Sequence, residues 1–301
     1  MAELCLGTAQ LGMEYGINNK VGKLQKESVF EILDTAIENN IRVWDTASIY
    51  GEAEELLGEY LFEHSEEADR IRIISKQCQS VDGLDHKAVE KCIRGEFQQS
   101  LGRLHRKFLD GYLLHSYREI DNPDTISILQ ELKAERKVRA IGVSVYEIEE
   151  AQRAIEIGSI DYLQMPCSVF DQRGLTSGVF QQAKEKGITV FTRSAFLQGL
   201  LMMEEDELPE YIAGVKQHIR KFKQLLLRYG IDRKHAILKY VLAQNLIDYM
   251  VFGVESREQL LEIVKEISTE SLPDMLMKEI KDCFKDISTD LILPINWKID
   301  A

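Results

Sequence analysis

Eight short apolar runs, spread along the whole chain and separated by amphipathic stretches, constrain this sequence more than any other feature. They are Leu4–Thr8, Arg42–Thr46, Ile71–Ser75, Leu109–Leu114, Ala140–Ser144, Tyr162–Met165, Thr189–Arg193 and Tyr249–Val254. Rich in Ile, Val, Leu and Tyr, each reads as a strand buried on both faces, as in a parallel sheet covered by helices. Helical patterns lie between them. Val29, Phe30, Leu33, Ala36 and Ile37 form one apolar stripe that stops at Asn39-Asn40, and Ile148, Ala151 and Ile155 begin another. Eight strands alternating with helices fit either an open doubly wound sheet or a closed barrel. The count of eight, and the missing G-x-G-x-x-G after the first run, favour an α/β chain folded as a (β/α)8 TIM barrel.

No low-complexity linker divides the chain, so residues 1–301 are expected to form one domain. A single long connection, from Ser194 to about Asp248, must hold an insertion or lid around 200–233 as well as a helix, and a C-terminal tail starts at about 270. Lys and Arg total 37 against 50 Asp and Glu, a formal charge of −13 that repels nucleic acid and anionic membrane. The basic stretch Lys216, Arg220, Lys221, Lys223 and Arg228 carries Phe222, Leu225, Leu226 and Tyr229 at helical spacing, so its charges read as a wet face. The acidic run Glu204-Glu205-Asp206-Glu207 reads as solvated loop that disfavours anionic substrates. Five scattered cysteines without C-x-x-C suit reduced thiols in the cytoplasm. With no apolar run of about 18 residues, secretion and membrane insertion are not expected.

In a barrel, polar groups at the C-terminal ends of strands face the active site. Those ends carry Asp45-Thr46 with Tyr50-Gly51 just beyond, then Lys76, His115, Ser144, Gln164 and Arg193-Ser194. Each alone has a plain structural explanation: a cap for Asp45, a solvated lysine, a core histidine, a packing tyrosine. Four such coincidences at successive strand ends are far less common than one. A phenol has a pKa of about 10, and a nearby ammonium favours its phenolate. A carboxylate beside the lysine keeps it charged. Lowering the phenol by about two units corresponds to roughly 2.7 kcal/mol, and Tyr50 then serves as a general acid towards a substrate oxygen aimed by a histidine N–H. The six histidines show no H-x-H or H-E-x-x-H spacing, so no metal is expected.

These residues resemble the aldo-keto reductase superfamily across essentially the whole chain. The resemblance rests on Gly7-Thr8, Asp45-Thr46-Ala47 with Tyr50-Gly51, Lys76, Leu113-Leu114-His115, Ile141-Gly142-Val143-Ser144, and Gln164 with Phe170-Asp171-Gln172-Arg173. Arg193-Ser194-Ala195-Phe196-Leu197-Gln198-Gly199-Leu200 is similar to a branch found among polysaccharide and sugar-nucleotide gene clusters. The resemblance implies NAD(P)H-dependent reduction of a small carbonyl substrate, with Tyr50 as acid, Lys76 and Asp45 tuning it and His115 orienting the carbonyl. It also implies nicotinamide binding without a Rossmann unit: Gly7 and Thr8 near the ribose, Ser144 and Gln164 on the carboxamide, and Ser194 and Leu197 along the pyrophosphate. Gly253, Val254, Ser256, Gln259 and Glu262 would hold the adenosine end.

Four positions depart from the family pattern. Val145 stands for an Asn that holds the carboxamide, and Ile263 for an Asn at the adenine. Arg193 replaces the aromatic under the nicotinamide, which implies a bias towards the reduced, uncharged ring. Glu255 stands where a cation commonly meets a 2′-phosphate. NADP(H) is expected first and NAD(H) second. Two rival readings remain, a non-catalytic cofactor-binding barrel acting as sensor or subunit and a Schiff-base lyase with Lys76 as nucleophile.

Overall fold

The computed structural model describes residues 1–297, so the last four residues of the expected tail lie outside it. The eight strands are β1 (Glu3–Gly7), β2 (Val43–Asp45), β3 (Arg72–Gln77), β4 (Leu109–Leu114), β5 (Val138–Ser144), β6 (Tyr162–Pro166), β7 (Thr189–Arg193) and β8 (Tyr249–Phe252). They pair in parallel in sequence order, and β8 closes on β1. This is a (β/α)8 TIM barrel. β4 and β7 coincide with their apolar runs. β8 stops at Phe252, two residues short of its run, because Gly253 and Val254 belong to the wall of a cavity.

Strand side chains alternate between two cores with the period of two that the pleat imposes. Cys5, Val43, Ile74, Leu113, Phe191 and Val251 fill the barrel with Tyr162 and Tyr249 against them, and Phe191 stacks on Tyr249 with centroids 4.6 Å apart. Their neighbours Leu6, Trp44, Ile73, Leu114, Val190 and Phe252 point outwards into the larger core beneath the helices. Each such side chain stabilises the fold by about 1.5–3 kcal/mol.

The outer layer comprises α1 (Lys26–Glu38), α2 (Ala53–Glu63), α3 (His86–Arg103), α4 (Pro123–Ala134), α5 (Ile148–Ile157) and α6 (Val179–Glu185). An additional α7 (Lys216–Tyr229) precedes α8 (Arg233–Leu242) and α9 (Arg257–Ile267), and α10 (Asp274–Phe284) follows in the tail. Helix α1 buries Val29, Ile32, Leu33 and Ala36, and Asn40 ends it in the left-handed region at φ 59°. Helix α5 starts in a capping box of Glu147 and Glu150. Among the described residues no helix is long and apolar enough to cross a membrane.

The long connection contains the short helical segments Leu200–Met202 and Glu210–Val215, then α7. Phe222 of α7 packs on Phe170 and on Phe284 of α10, with centroids 5.8 and 5.7 Å away. The acidic run stays largely exposed, as a solvated loop should, but three of its four carboxylates are also paired. Glu204 pairs with Lys223 and Arg233, Glu205 with Arg220 and Glu207 with Lys20. Part of the basic face of α7 therefore serves to neutralise the loop before it. That pairing joins residues too distant in sequence for a local pattern to reveal.

One close approach fixes the loop that carries Tyr50. The helical turn Ala9–Gly12 after β1 lies against it, and the Glu52 N–H donates to the Gly12 carbonyl at 3.2 Å. A Cβ on Gly12 would overlap the Tyr50 carbonyl oxygen and the Ala53 nitrogen. Gly12→Ala should therefore cost about 1–3 kcal/mol of stability by overpacking and lower turnover by displacing the Tyr50 loop. Thermal melting and steady-state kinetics check this; a variant with unchanged Tm and kcat contradicts the close packing.

Candidate active site

Advancing two residues along each strand from its barrel-filling side chain gives the next inward position. Cys5 leads to Gly7, Val43 to Asp45, Ile74 to Lys76, Leu113 to His115, Tyr162 to Gln164, Phe191 to Arg193 and Val251 to Gly253. The barrel thus changes from apolar to polar within one layer, at the C-terminal mouth. Strand pairing aligns the layer, with Gly7 opposite Asp45 and Ser144 opposite Gln164.

Lys76 is fully buried. Its Nζ donates to Asp45 Oδ2 at 2.7 Å and to the Thr46 carbonyl at 2.8 Å, and stands 3.5 Å from the Tyr50 hydroxyl. Gln164 Nε2 donates to the other oxygen, Asp45 Oδ1, at 2.8 Å. Burial alone would favour a neutral amine, but the Asp45 charge and the Tyr50 hydroxyl outweigh it and hold Lys76 above its ordinary pKa. A lysine held charged in this way is a poor Schiff-base nucleophile.

Tyr50 departs from its expected downward shift. Burial pushes its hydroxyl up to about 12, Lys76 offsets part of that rise, and Asp45 opposes Lys76. Desolvation of the phenolate is larger than the pull of one ammonium. His115 moves the other way, down to about 3, chiefly through burial and then through the charges of Lys76 and Arg193. Its ring lies 6.0 Å from that of Tyr50 at 80°, and as a neutral imidazole it has one N–H to donate.

Of these groups Asp45 and Tyr50 face a cavity of about 360 Å³. Of the sequence-derived candidates, Gly7, Thr8, Asp45, Tyr50, Arg193, Ser194, Gly253, Val254 and Gln259 line it. Lys76, Ser144 and Gln164 lie buried, and His115 is half-buried outside the lining. Leu197 is core; Ser256 caps α9 by accepting from the Gln259 N–H at 3.3 Å; Glu262 is paired with Lys234. Among the lining residues that escaped the sequence reading as cofactor contacts, four carry amide or ammonium side chains: Gln10, Asn18, Gln198 and Lys234. Only one local sign preceded them, the break in apolar pattern after β7. There Ser194, Leu197 and Gln198 adopt left-handed φ of 64°, 47° and 55°, rare for residues with side chains and concentrated at functional loops.

Arg193 lies with its guanidinium over the Tyr146 ring, 4.1 Å from the centroid, and donates to the Val145 carbonyl at 3.1 Å. The position lacking an amide side chain thus anchors the arginine through its backbone. Lys234 supplies a second cation, among Glu255, Gln259 and Ile263. The residues present fit a dinucleotide: the cavity walls run from Asp45 and Tyr50 to Gln259, carry two cations, and include side-chain-free stretches at Gly7 and Gly253. A Cβ at Gly253 would displace the Gln10 amide, which packs against the bare backbone there.

A barrel with a buried lysine–carboxylate pair and a phenol at its C-terminal mouth, beside a cavity, is an arrangement suited to proton transfer at a carbonyl oxygen. The family model described as the aldo/keto reductase family matches residues 3–285, and the chain belongs to that family. It is an NAD(P)H-dependent oxidoreductase of carbonyl reduction. Aldo-keto reductase YhdN of Bacillus subtilis (strain 168) is 26% identical over 300 residues, covering 91% of this chain and 88% of that protein. The NADH-specific methylglyoxal reductase of Escherichia coli (strain K12) is 26% identical over 213 residues, covering 64% and 65%. Aldo-keto reductase AKR11C1 from Bacillus halodurans, solved in its holo form, shares the fold with a TM-score of 0.72 at 23% identity, covering 94% and 92%.

The depressed His115 pKa has a consequence for stability. A folded value near 3, below an unfolded value of about 6.5, gives a contribution present above pH 6.5 that is lost as pH falls towards 3. His115→Gln should therefore melt with a shallower acid dependence between pH 6.5 and 4 than the parent protein. Parallel Tm profiles for the two would remove the buried neutral imidazole from this account.

Proposed function

We propose that this protein reduces an aldehyde or ketone, of a sugar-derived kind, to the alcohol, with Tyr50 as the proton donor. The observation that carries this is the contiguous chain from Asp45 through Lys76 to Tyr50, with contacts of 2.7 and 3.5 Å, opening on the cavity. A reduced nicotinamide held along the cavity would supply the hydride. The chain's own residues handle the oxygen. Tyr50, held near 12, is protonated at neutral pH but is a weaker acid than a free phenol, so its proton transfer depends on stabilisation of the phenolate that forms. As the proton leaves, the Lys76 ammonium stabilises the phenolate, and Asp45 keeps that ammonium charged and in place. The neutral His115 N–H orients the carbonyl oxygen towards the phenol.

Gly7 and Thr8 would meet the nicotinamide ribose, Ser144 and Gln164 the carboxamide, and Arg193 the ring. Ser194 and Leu197 would follow the pyrophosphate, with Gly253, Val254, Ser256, Gln259 and Glu262 towards the adenosine. NADP(H) is the preferred cofactor and NAD(H) the second. The support is Lys234: it lines the cavity beside Glu255, where it can exchange Glu262 for a 2′-phosphate. A sugar-derived substrate is supported by the neutralised acidic run, which removes the repulsion an open acidic lid would exert on a nucleotide sugar. Five free thiols suit a reducing cytoplasm.

An NADPH and NADH oxidation screen over aldehydes, keto sugars and nucleotide sugars tests the activity. Tyr50→Phe should lower kcat by about 10²–10⁴ while leaving cofactor Kd unchanged, and Lys76→Met should fall in the same range. Cofactor binding without turnover on any carbonyl would instead support a sensor or subunit. Lys234→Ala should weaken NADPH by about tenfold and NADH by little, read as fluorescence-titrated Kd. Equal losses for both cofactors would remove Lys234 from phosphate recognition.

A further inference from the structure

Glu96 of α3 is a buried carboxylate, 3% exposed, whose partners are all neutral donors. The Ser48 hydroxyl and the Cys78 N–H both donate to Oε1, the latter at 2.9 Å, and the Gln79 N–H donates to Oε2 at 3.1 Å. Ser48 lies two residues before Tyr50, and Cys78 two residues after Lys76. One carboxylate therefore grips both the loop carrying the phenol and the strand end carrying the ammonium. A charge buried this deeply is costly unless its hydrogen bonds are made, so the three donors are held as firmly as they hold it. A second strut supports the same strand. Glu54 of α2 accepts from the Ser75 hydroxyl at 2.5 Å and from Arg103 of α3 at 2.7 Å.

We propose that Glu96 is a positioning residue that sets the separation between Tyr50 and Lys76. The inference rests on the reading of Tyr50 as proton donor. A separation of 3.5 Å is at the outer limit of a hydrogen bond, where a few tenths of an ångström decide whether the ammonium still stabilises the phenolate. Among the described residues no other polar side chain holds the Tyr50 hydroxyl, so its distance from Lys76 is set by the backbones of the two segments. Those are the segments Glu96 joins. Glu96 lies outside the cavity lining, and acts only through them.

The test is a double-mutant cycle on the full chain. Glu96→Gln keeps the size but removes the charge and, with its oxygen on Ser48 and Cys78, sets its amide N–H₂ against the Gln79 N–H, loosening the segment that follows Lys76. In the parent background it should lower kcat about tenfold, with substrate KM and cofactor Kd within about twofold. The solvent deuterium isotope effect on kcat should rise, because proton donation becomes slower. In a Tyr50→Phe background, where no phenolic proton remains, Glu96→Gln should cost little more. An equal loss in both backgrounds, or an unchanged kcat in the parent, overturns the proposal. If Glu96→Gln does not fold, Ser48→Ala releases the Tyr50 loop alone and is read by the same cycle. A crystal structure of whichever variant folds gives a measure independent of turnover: Tyr50 Oη should lie farther than 3.5 Å from Lys76 Nζ. An unmoved pair defeats the positioning role, whereas a parent enzyme without carbonyl turnover defeats the functional reading and leaves the structural measure standing.

Discussion

The ion pair between Lys76 and Asp45 is the interaction on which the site depends. Both charges lie in the barrel mouth away from water, where desolvation can exceed the attraction between them. It persists because neither partner has only the other: the ammonium also reaches the Thr46 carbonyl, and the carboxylate also accepts from Gln164. Such a satisfied network is rigid, and removing one member leaves a buried charge uncompensated. The lysine is thereby fixed as a cation, which suits electrostatic stabilisation of a phenolate and opposes covalent chemistry at the amine.

The barrel was legible because its determinants are local. Runs of β-branched and aromatic residues at regular intervals mark buried strands whatever surrounds them, and β4 and β7 match their runs residue for residue. The inward layer was legible through parity: once Ile74 and Leu113 fill the barrel, Lys76 and His115 must follow at its mouth. The adjacency of Asp45, Tyr50 and Lys76 followed from neighbouring strands. The direction of the Tyr50 shift did not, since it turns on how much water the folded wall excludes.

What stayed hidden comes from distant segments meeting. Lys234 reaches the cavity from beyond the long insertion, and Glu96 reaches the Tyr50 loop from the outer helices. Neither has a neighbouring motif to announce it. The family pattern was silent too at Val145, where a backbone carbonyl took over an anchoring task that side-chain comparison records only as a loss.

The clasp between the acidic run and its cations reaches further than the insertion. Lys20, which holds Glu207, follows shortly after Tyr15 and Asn18 on the same loop, and both of those line the cavity. The bond is solvent-exposed, and exposed pairs weaken once ionic strength shortens the Debye length to about 8 Å or less. The rim of the cavity is thus tethered by a fastening that dissolved salt can loosen, while the buried pair at its floor is shielded from the same ions. Access and chemistry would then respond differently to the ionic medium around the enzyme.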